Sequence, residues 1–297
     1  MIHQDMAEQV RNGNGFVAAL DQSGGSTPKA LAAYGVPSDA FASDDEMFDL
    51  IHDMRSRIVN APAFTGAKVV GAILFEMTMD RKIGGKPSAQ YLWEDRRVVP
   101  ILKIDKGLMD DADGAQLMKP MEHLETILPR AVQNGVFGTK MRSVINAPNP
   151  KGIAANVAQQ FEIAKLVLEH GLVPILEPEI NINMMEKGDA EILLRDEVLR
   201  HLDQLEPDQI VMLKLTLPEE ANIYGPLVAH PNVMRVVALS GGYSRAEANA
   251  RLAKNSGIIA SFSRALTEGL SAEQDDDAFN LTLSTTIEDI FAASVSG

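Results

Sequence analysis

Eight short apolar segments alternating with longer helix-like stretches predict an α/β chain folded as a (βα)8 barrel, the TIM-barrel architecture. Two further observations point the same way. Most of the segments are continuously apolar rather than alternating, as strands covered by helices must be. The length of 297 residues suits one such barrel, and the absence of a low-complexity linker or exact repeat assigns residues 1–297 to a single domain. The competing architecture, an open doubly wound sheet, usually has about five or six strands, so a count of eight favours the barrel.

The predicted strands are 15–20, 68–75, 98–104, 135–141, 172–176, 209–213, 233–239 and 257–261. Helical periodicity fills 156–170 and 189–205, and a further helix over 245–255 follows Ser244 as its cap. The acidic runs 43–49, 110–113 and 273–277 read as helix starts or solvated loops, because none has the ligand spacing of a calcium loop.

Composition narrows the function. With 27 Lys+Arg against 41 Asp+Glu the formal net charge is −14. Such a surface repels a phosphate backbone, so neither nucleic acid nor an anionic membrane is expected as partner. Cysteine is absent, which removes disulfides, thiolate metal sites and cysteine nucleophiles. The beginning of the chain has no basic region followed by an apolar one, and no apolar run nears the roughly 20 residues that span a bilayer. A cytoplasmic protein is expected, with its oligomeric state left open to a homo-oligomer.

In a βα barrel the chemistry gathers where the strands finish. The first strand runs into Asp21, Ser23 and Ser26; the second ends near Glu76; the third carries Lys103, Asp105 and Lys106. The fourth carries Lys140 and Arg142, the fifth Glu177 and Glu179, the sixth Lys214, the seventh Ser240-Gly241-Gly242, and the eighth Ser261 and Arg264. Lys140 and Arg142 are two apart, as are Glu177 and Glu179, so each pair shares one face of an extended chain. A mouth of lysine, arginine and carboxylate on so acidic a protein points to an anionic ligand. The bland alternative is that charged residues after strands are ordinary loop residues.

Lys214 is the most informative single residue. It sits in the run Ile-Val-Met-Leu-Lys-Leu-Thr-Leu, where a solvated lysine is out of place. Burial disfavours the ammonium, and a neutral amine attacks carbonyls to form a Schiff base. The alternative is a lysine that snorkels its head to water. The glycine-containing loops 23–26 and 240–242 each follow a strand and precede a helix, so their amides suit phosphates. Neither is a Walker loop or a dinucleotide fingerprint. Two such sites on one mouth suit a substrate phosphorylated at both ends. Of the six histidines, His170, His201 and His230 fall before strands, toward the far end of the barrel. A histidine-held zinc is therefore not expected, while Mg²⁺ on carboxylates stays open; no metal or other cofactor is assigned.

These residues resemble class I fructose-bisphosphate aldolases. The resemblance rests on Ala19 to Ser26, the Ile-Leu-Phe that ends strand two, and Leu-Lys103-Ile-Asp105-Lys106-Gly. It continues through Gly-Thr-Lys140-Met-Arg142, Val-Pro-Ile-Leu-Glu177-Pro-Glu179-Ile, Leu-Lys214, Leu-Ser240-Gly241-Gly242 and Ser-Arg264-Ala-Leu, in family order. The Leu-Thr-Leu after Lys214 and the length are similar to the short bacterial branch. The resemblance implies a Schiff-base lyase, independent of metal, that reversibly cleaves fructose 1,6-bisphosphate. It implies Lys214 as the imine-forming lysine, Glu177 as the acid/base of imine formation, and Asp21 as the base for the C4 hydroxyl. Lys140 and Glu179 would tune charge. Ser240, Gly241, Gly242 and Arg264 would hold one phosphate, and Ser23, Ser26 and Lys103 the other, with Arg142 and Ser261 also in the binding set. Glu76 receives no role. The rival readings are a Schiff-base lyase for another phosphorylated ketose or keto acid, and a non-catalytic sugar-phosphate-binding protein.

Overall fold

Val, Ile and Leu dominate eight segments that pair side by side and in parallel, because their branched side chains pack on a pleated surface covered on its outer face by helices. In the computed structural model, which describes residues 3–297, these are β1 (Phe16–Leu20), β2 (Val69–Leu74), β3 (Val99–Lys103) and β4 (Gly138–Ile145). They continue as β5 (Val173–Ile180), β6 (Val211–Thr216), β7 (Val233–Leu239) and β8 (Ile258–Phe262). The order around the sheet is β3-β2-β1-β8-β7-β6-β5-β4, and β3 pairs with β4 to close it. Every neighbour in the barrel is parallel. A short segment, Ala115–Gln116, adds an antiparallel appendage to β4. The predicted (βα)8 barrel is thus the observed one.

The strands present two faces and hence two cores. Phe16, Ala18 and Leu20 of β1 point outward into a layer shared with the helices. Val17 and Ala19 point inward, with Val99, Ile101, Val173, Ile175, Met212, Val237 and Ile259. The N-terminal helix α1 (Gln4–Asn12) closes the lower end by inserting Met6 and Val10 into this inner core.

The helix starts follow from the caps. Ser43 accepts a hydrogen bond from the Glu46 amide at 3.2 Å, and Asp44, Asp45 and Glu46 fill the first turn of α3 (Asp44–Asn60), beside its positive dipole end. α3 follows α2 (Thr27–Ala33) in the chain. Asp275 caps the helix Asp276–Val295 by accepting from the Ala278 amide at 2.8 Å. Ser244 caps Arg245–Leu252, as predicted, by accepting from the Glu247 amide at 3.3 Å. Two of the acidic runs are therefore helix starts. Among the described residues no helix is long and apolar enough to cross a membrane.

Several strands run further than predicted. β4 reaches Ile145, β5 reaches Ile180 and β6 reaches Thr216. The apolar run stops where the inward residues become charged, but backbone pairing continues: Arg142 lies opposite Glu177 and Ile145 opposite Ile180. Arg142, Glu177, Glu179 and Lys214 therefore stand within strands rather than after them, as Lys140 does by prediction.

Candidate active site

Inward positions alternate along a strand, so continuing the inner core upward names the side chains at its open end. On β1 the series Val17, Ala19 runs to Asp21; on β3, Val99 and Ile101 run to Lys103 and Asp105. On β5, Val173 and Ile175 run to Glu177 and Glu179; on β6, Met212 runs to Lys214. The same parity selects Lys140 and Arg142 on β4, and Ser261 after Ile259 on β8. All of these upper residues line one cavity of about 660 Å³ at the C-terminal end of the barrel.

A continuous chain of charge crosses the cavity floor. Lys214 Nζ lies 3.0 Å from Glu177 Oε1, with both side chains buried. Lys140 Nζ lies 2.5 Å from Glu177 Oε2, a close ion-pair contact bent away from hydrogen-bond alignment, and donates a hydrogen bond to Asp21 Oδ2 at 2.8 Å. Burial pushes the Asp21 carboxyl up, but Lys140, Lys214 and Lys103 outweigh it and hold it well below the usual carboxylate range. Burial likewise pulls Lys140 down, yet Asp21, Glu177 and Asp105 outweigh it and leave the ammonium above its ordinary range. The two lysines are therefore unlike. Lys140 is wedged against two carboxylates and keeps its proton, whereas the head of Lys214 pairs with one carboxylate, Glu177, among the described residues.

A second set stands beside the first. Lys103 Nζ donates to Asp105 Oδ1 at 2.5 Å and to the Asp105 carbonyl at 2.8 Å, while Asp105 Oδ2 accepts from the Arg142 amide at 3.1 Å. Burial pulls Lys103 below its ordinary range, against the opposing pull of Asp105. Arg142 pairs through Nε with Glu179. The two glutamates of β5 are thus divided, Glu177 to the lysines and Glu179 to the arginine.

The remaining predicted residues lie on the rim. Ser23, Ser26, Ser240, Gly241 and Arg264 line the cavity. Gly242 sits one step behind, where a Cβ would come within 3.4 Å of the Arg264 guanidinium. Gly241 has φ +61°, and a Cβ there would fall 2.6 Å from Ile182, so only glycine fits this turn. The Ser261 hydroxyl is buried on the cavity wall without a hydrogen-bond partner among the described residues. Glu76 turns away to Lys106 and Arg130.

The cavity has further members. Lys29, one turn into α2 after the serine loop, lines it, as do Gln22 and Ser263. Lys29 was legible as the helical neighbour, three residues on, of Ser26. Neither Lys29 nor Arg264 makes an ion pair among the described residues, and in an acidic chain such free cations at one rim suit phosphate oxygens.

Residues 2–219 match the model of the glycolytic, class I fructose-bisphosphate aldolase family. A class 1 fructose-bisphosphate aldolase of Synechocystis sp. is 55% identical over 294 residues, covering 99% of this chain and 98% of that one. Its counterpart from Porphyromonas gingivalis is 55% identical over 295 residues, covering 99% and 100%. A solved structure of fructose-bisphosphate aldolase from Plasmodium falciparum, in complex with TRAP and a small-molecule inhibitor, matches with a TM-score of 0.78. It covers 98% of this chain and 93% of that one at 20% identity, a likeness of fold.

Proposed function

The chain belongs to the class I fructose-bisphosphate aldolase family, and from that premise we propose how its residues divide the Schiff-base cleavage of fructose 1,6-bisphosphate into dihydroxyacetone phosphate and glyceraldehyde 3-phosphate. The observation that carries the assignment is the buried sequence of contacts from Lys214 through Glu177 and Lys140 to Asp21.

Lys214 is the nucleophile. Glu177 accepts its ammonium proton, the freed amine attacks the C2 carbonyl, and the resulting carbinolamine loses its hydroxyl as water when Glu177 returns a proton. The product is a protonated imine. Asp21 takes the C4 hydroxyl proton while the C3–C4 bonding pair moves to C3 and into the iminium, leaving an enamine and releasing glyceraldehyde 3-phosphate. A carboxylate held so acidic is a weak base by itself, so this proton leaves only as the electron pair is drawn into the imine. Protonation at C3 and hydrolysis of the imine release dihydroxyacetone phosphate and restore Lys214.

The other residues set charge and position. Lys140 keeps Asp21 ionised and stays a cation throughout. Glu179 fixes Arg142 against the cavity wall. Ser240, Gly241, Gly242 and Arg264 form one phosphate site, and Ser23, Ser26 and Lys103 the other, with Ser261 also in the binding set. The single barrel of residues 1–297 carries the whole reaction, which belongs to glycolysis and in reverse to gluconeogenesis. We place the enzyme in the cytoplasm with sugar phosphates as its partners; the formal net charge of −14 supports this by disfavouring nucleic acid and anionic membranes.

Borohydride reduction in the presence of dihydroxyacetone phosphate and EDTA, followed by peptide mapping, tests the assignment. A stable adduct on Lys214 is expected. An unmodified Lys214 with activity lost to EDTA would transfer the polarising role to a metal, and binding without turnover would favour a sugar-phosphate-binding protein.

A further inference from the structure

Beside the ends of β1 and β2, the inward face of α3 buries Arg55 with no exposed surface, against Gln22 and Thr78. Its guanidinium donates to Thr78 Oγ1 at 2.7 Å, to the Gln22 carbonyl at 2.6 Å and to Gln22 Oε1 at 3.2 Å. None of these acceptors is a carboxylate, and Arg55 makes no ion pair among the described residues. Burial brings its pKa down to about 10, against the pull of Asp21 and with that of Arg81, so it remains a cation near neutral pH. An isolated buried cation is among the more costly things a core can hold. Imine chemistry does not use it.

Its hydrogen bonds have a direction. Arginine only donates, so the Gln22 side-chain oxygen must face Arg55 and the amide nitrogen must face the other way. There Gln22 Nε2 donates to Ser263 Oγ at 2.9 Å. Ser263 stands at the cap position of the short helix Arg264–Thr267 yet makes no cap hydrogen bond; its oxygen is held by Gln22 instead. With that oxygen receiving, the hydroxyl hydrogen is left to donate elsewhere. Ser263 continues the inward series Ile259, Ser261 of β8 and lines the cavity beside Arg264.

We infer that Ser263 is a further phosphate-binding residue, its hydroxyl fixed as a donor by a hydrogen-bond relay running from Arg55 through Gln22. The inference rests on the aldolase reading, which supplies the phosphate. A hydroxyl locked as donor next to an unpaired guanidinium suits an anionic oxygen, which offers only acceptors; a sugar hydroxyl would also need an acceptor. Gln22 and Arg55 are positioning residues.

Exchanging Gln22 for glutamate tests the relay by reversing it. Gln22→Glu keeps an acceptor for Arg55 but turns the donor facing Ser263 into an acceptor, so the hydroxyl must point back toward it. Ser263→Ala and Gln22→Glu are each expected to raise KM for fructose 1,6-bisphosphate, and the calorimetric Kd of inorganic phosphate, roughly tenfold, with a smaller fall in kcat. Ser263→Thr, which retains the hydroxyl, should restore both constants. In the Ser263→Ala background, Gln22→Glu should add little further, whereas repulsion by the new carboxylate alone would add its full effect. An additive pair, or a Ser263→Ala variant with unchanged KM and phosphate Kd, overturns the inference. Melting curves identify a variant that has merely lost its fold, and Ser263→Ala then carries the test alone, because it leaves all three acceptors of Arg55 intact. Failure of the aldolase reading looks different: the unaltered protein would give no imine adduct, while its phosphate Kd would still report on Ser263.

Discussion

Near the floor of the barrel the inward residues are Val17, Val99, Val173 and Ile259, closed from below by Met6 and Val10. Further along the same faces of the same strands they are Asp21, Lys103, Glu177 and Ser261. The same parallel strands run from one end to the other, so the contrast is carried by the side chains on their inward faces. The floor gains stability from dense apolar packing that excludes water. The mouth buries opposed charges whose desolvation offsets much of their attraction, and such groups repay replacement by apolar ones more often than they punish it. One end of the barrel is therefore built to hold, and the other to react.

The sharpest separation is expected at Lys214. Lys214→Met removes the nucleophile and should lower kcat by about 10⁴-fold or more, the scale on which loss of a covalent catalyst is felt. Far-UV circular dichroism and the melting temperature should be retained, since Glu177 keeps Lys140 as its partner. An active variant would sink the catalytic assignment, and an unfolded one would blur the division between the two ends.

Glu177→Gln should cost roughly 10²–10⁴-fold, the range for a positioned acid/base, with borohydride trapping slowed in parallel because imine formation itself is impaired. Lys140→Met acts through pH as well as rate. Asp21 has a depressed folded pKa, so its share of stability is present above the ordinary carboxylate value of about 3.9 and is lost as pH falls through the lower folded one. With Lys140 gone, burial pushes the Asp21 pKa up against weaker opposition. The acid limb of kcat/KM should then move to higher pH, and an unmoved limb would show that Asp21 does not depend on Lys140.

Ile175 tests the other end on the same face of β5, immediately below Glu177. Ile175→Ala empties part of the inner core and should destabilise the fold by about 2–5 kcal/mol. A urea titration measures that loss, while kcat/KM of the folded protein should stay within roughly threefold. A catalytic loss matching that of Glu177→Gln would erase the contrast.

The barrel was legible because eight apolar runs record eight buried strands whichever way the boundaries drift. Charged residues at their ends were legible too, since a lysine such as Lys214 inside an apolar run has few structural uses. Strand ends were misjudged where inward side chains turn polar, although the pairing of Arg142 with Glu177 and of Ile145 with Ile180 continues. Arg55 left no local trace. It lies on an amphipathic helix among Asp53, Arg57 and other charges, and its partner Gln22 is 33 residues away in the chain. Only tertiary structure distinguishes it from a surface arginine.

Glu76 is the smallest test and the one that isolates parity. It is the second residue after β2, as Asp21 is the first after β1, so nearness to the strand end alone would place both at the mouth. Parity separates them: Glu76 shares the register of Ala72 and Leu74, which face the outer layer, whereas Asp21 shares that of Val17 and Ala19. Burial raises the Glu76 pKa, but Lys106 and Arg130 outweigh it and bring it below the ordinary value, as expected of a carboxylate in a surface ion-pair cluster. Its partners are substantially exposed, at 38% and 41% of their side chains, so solvent screens most of that interaction. Glu76→Gln should therefore change stability by no more than about 1 kcal/mol. The loss should vanish at acid pH, where the native carboxylate is protonated anyway, and kcat/KM should be unaltered. A fall in kcat/KM would mean that the mouth extends outward past β2 and that inward register alone does not define it.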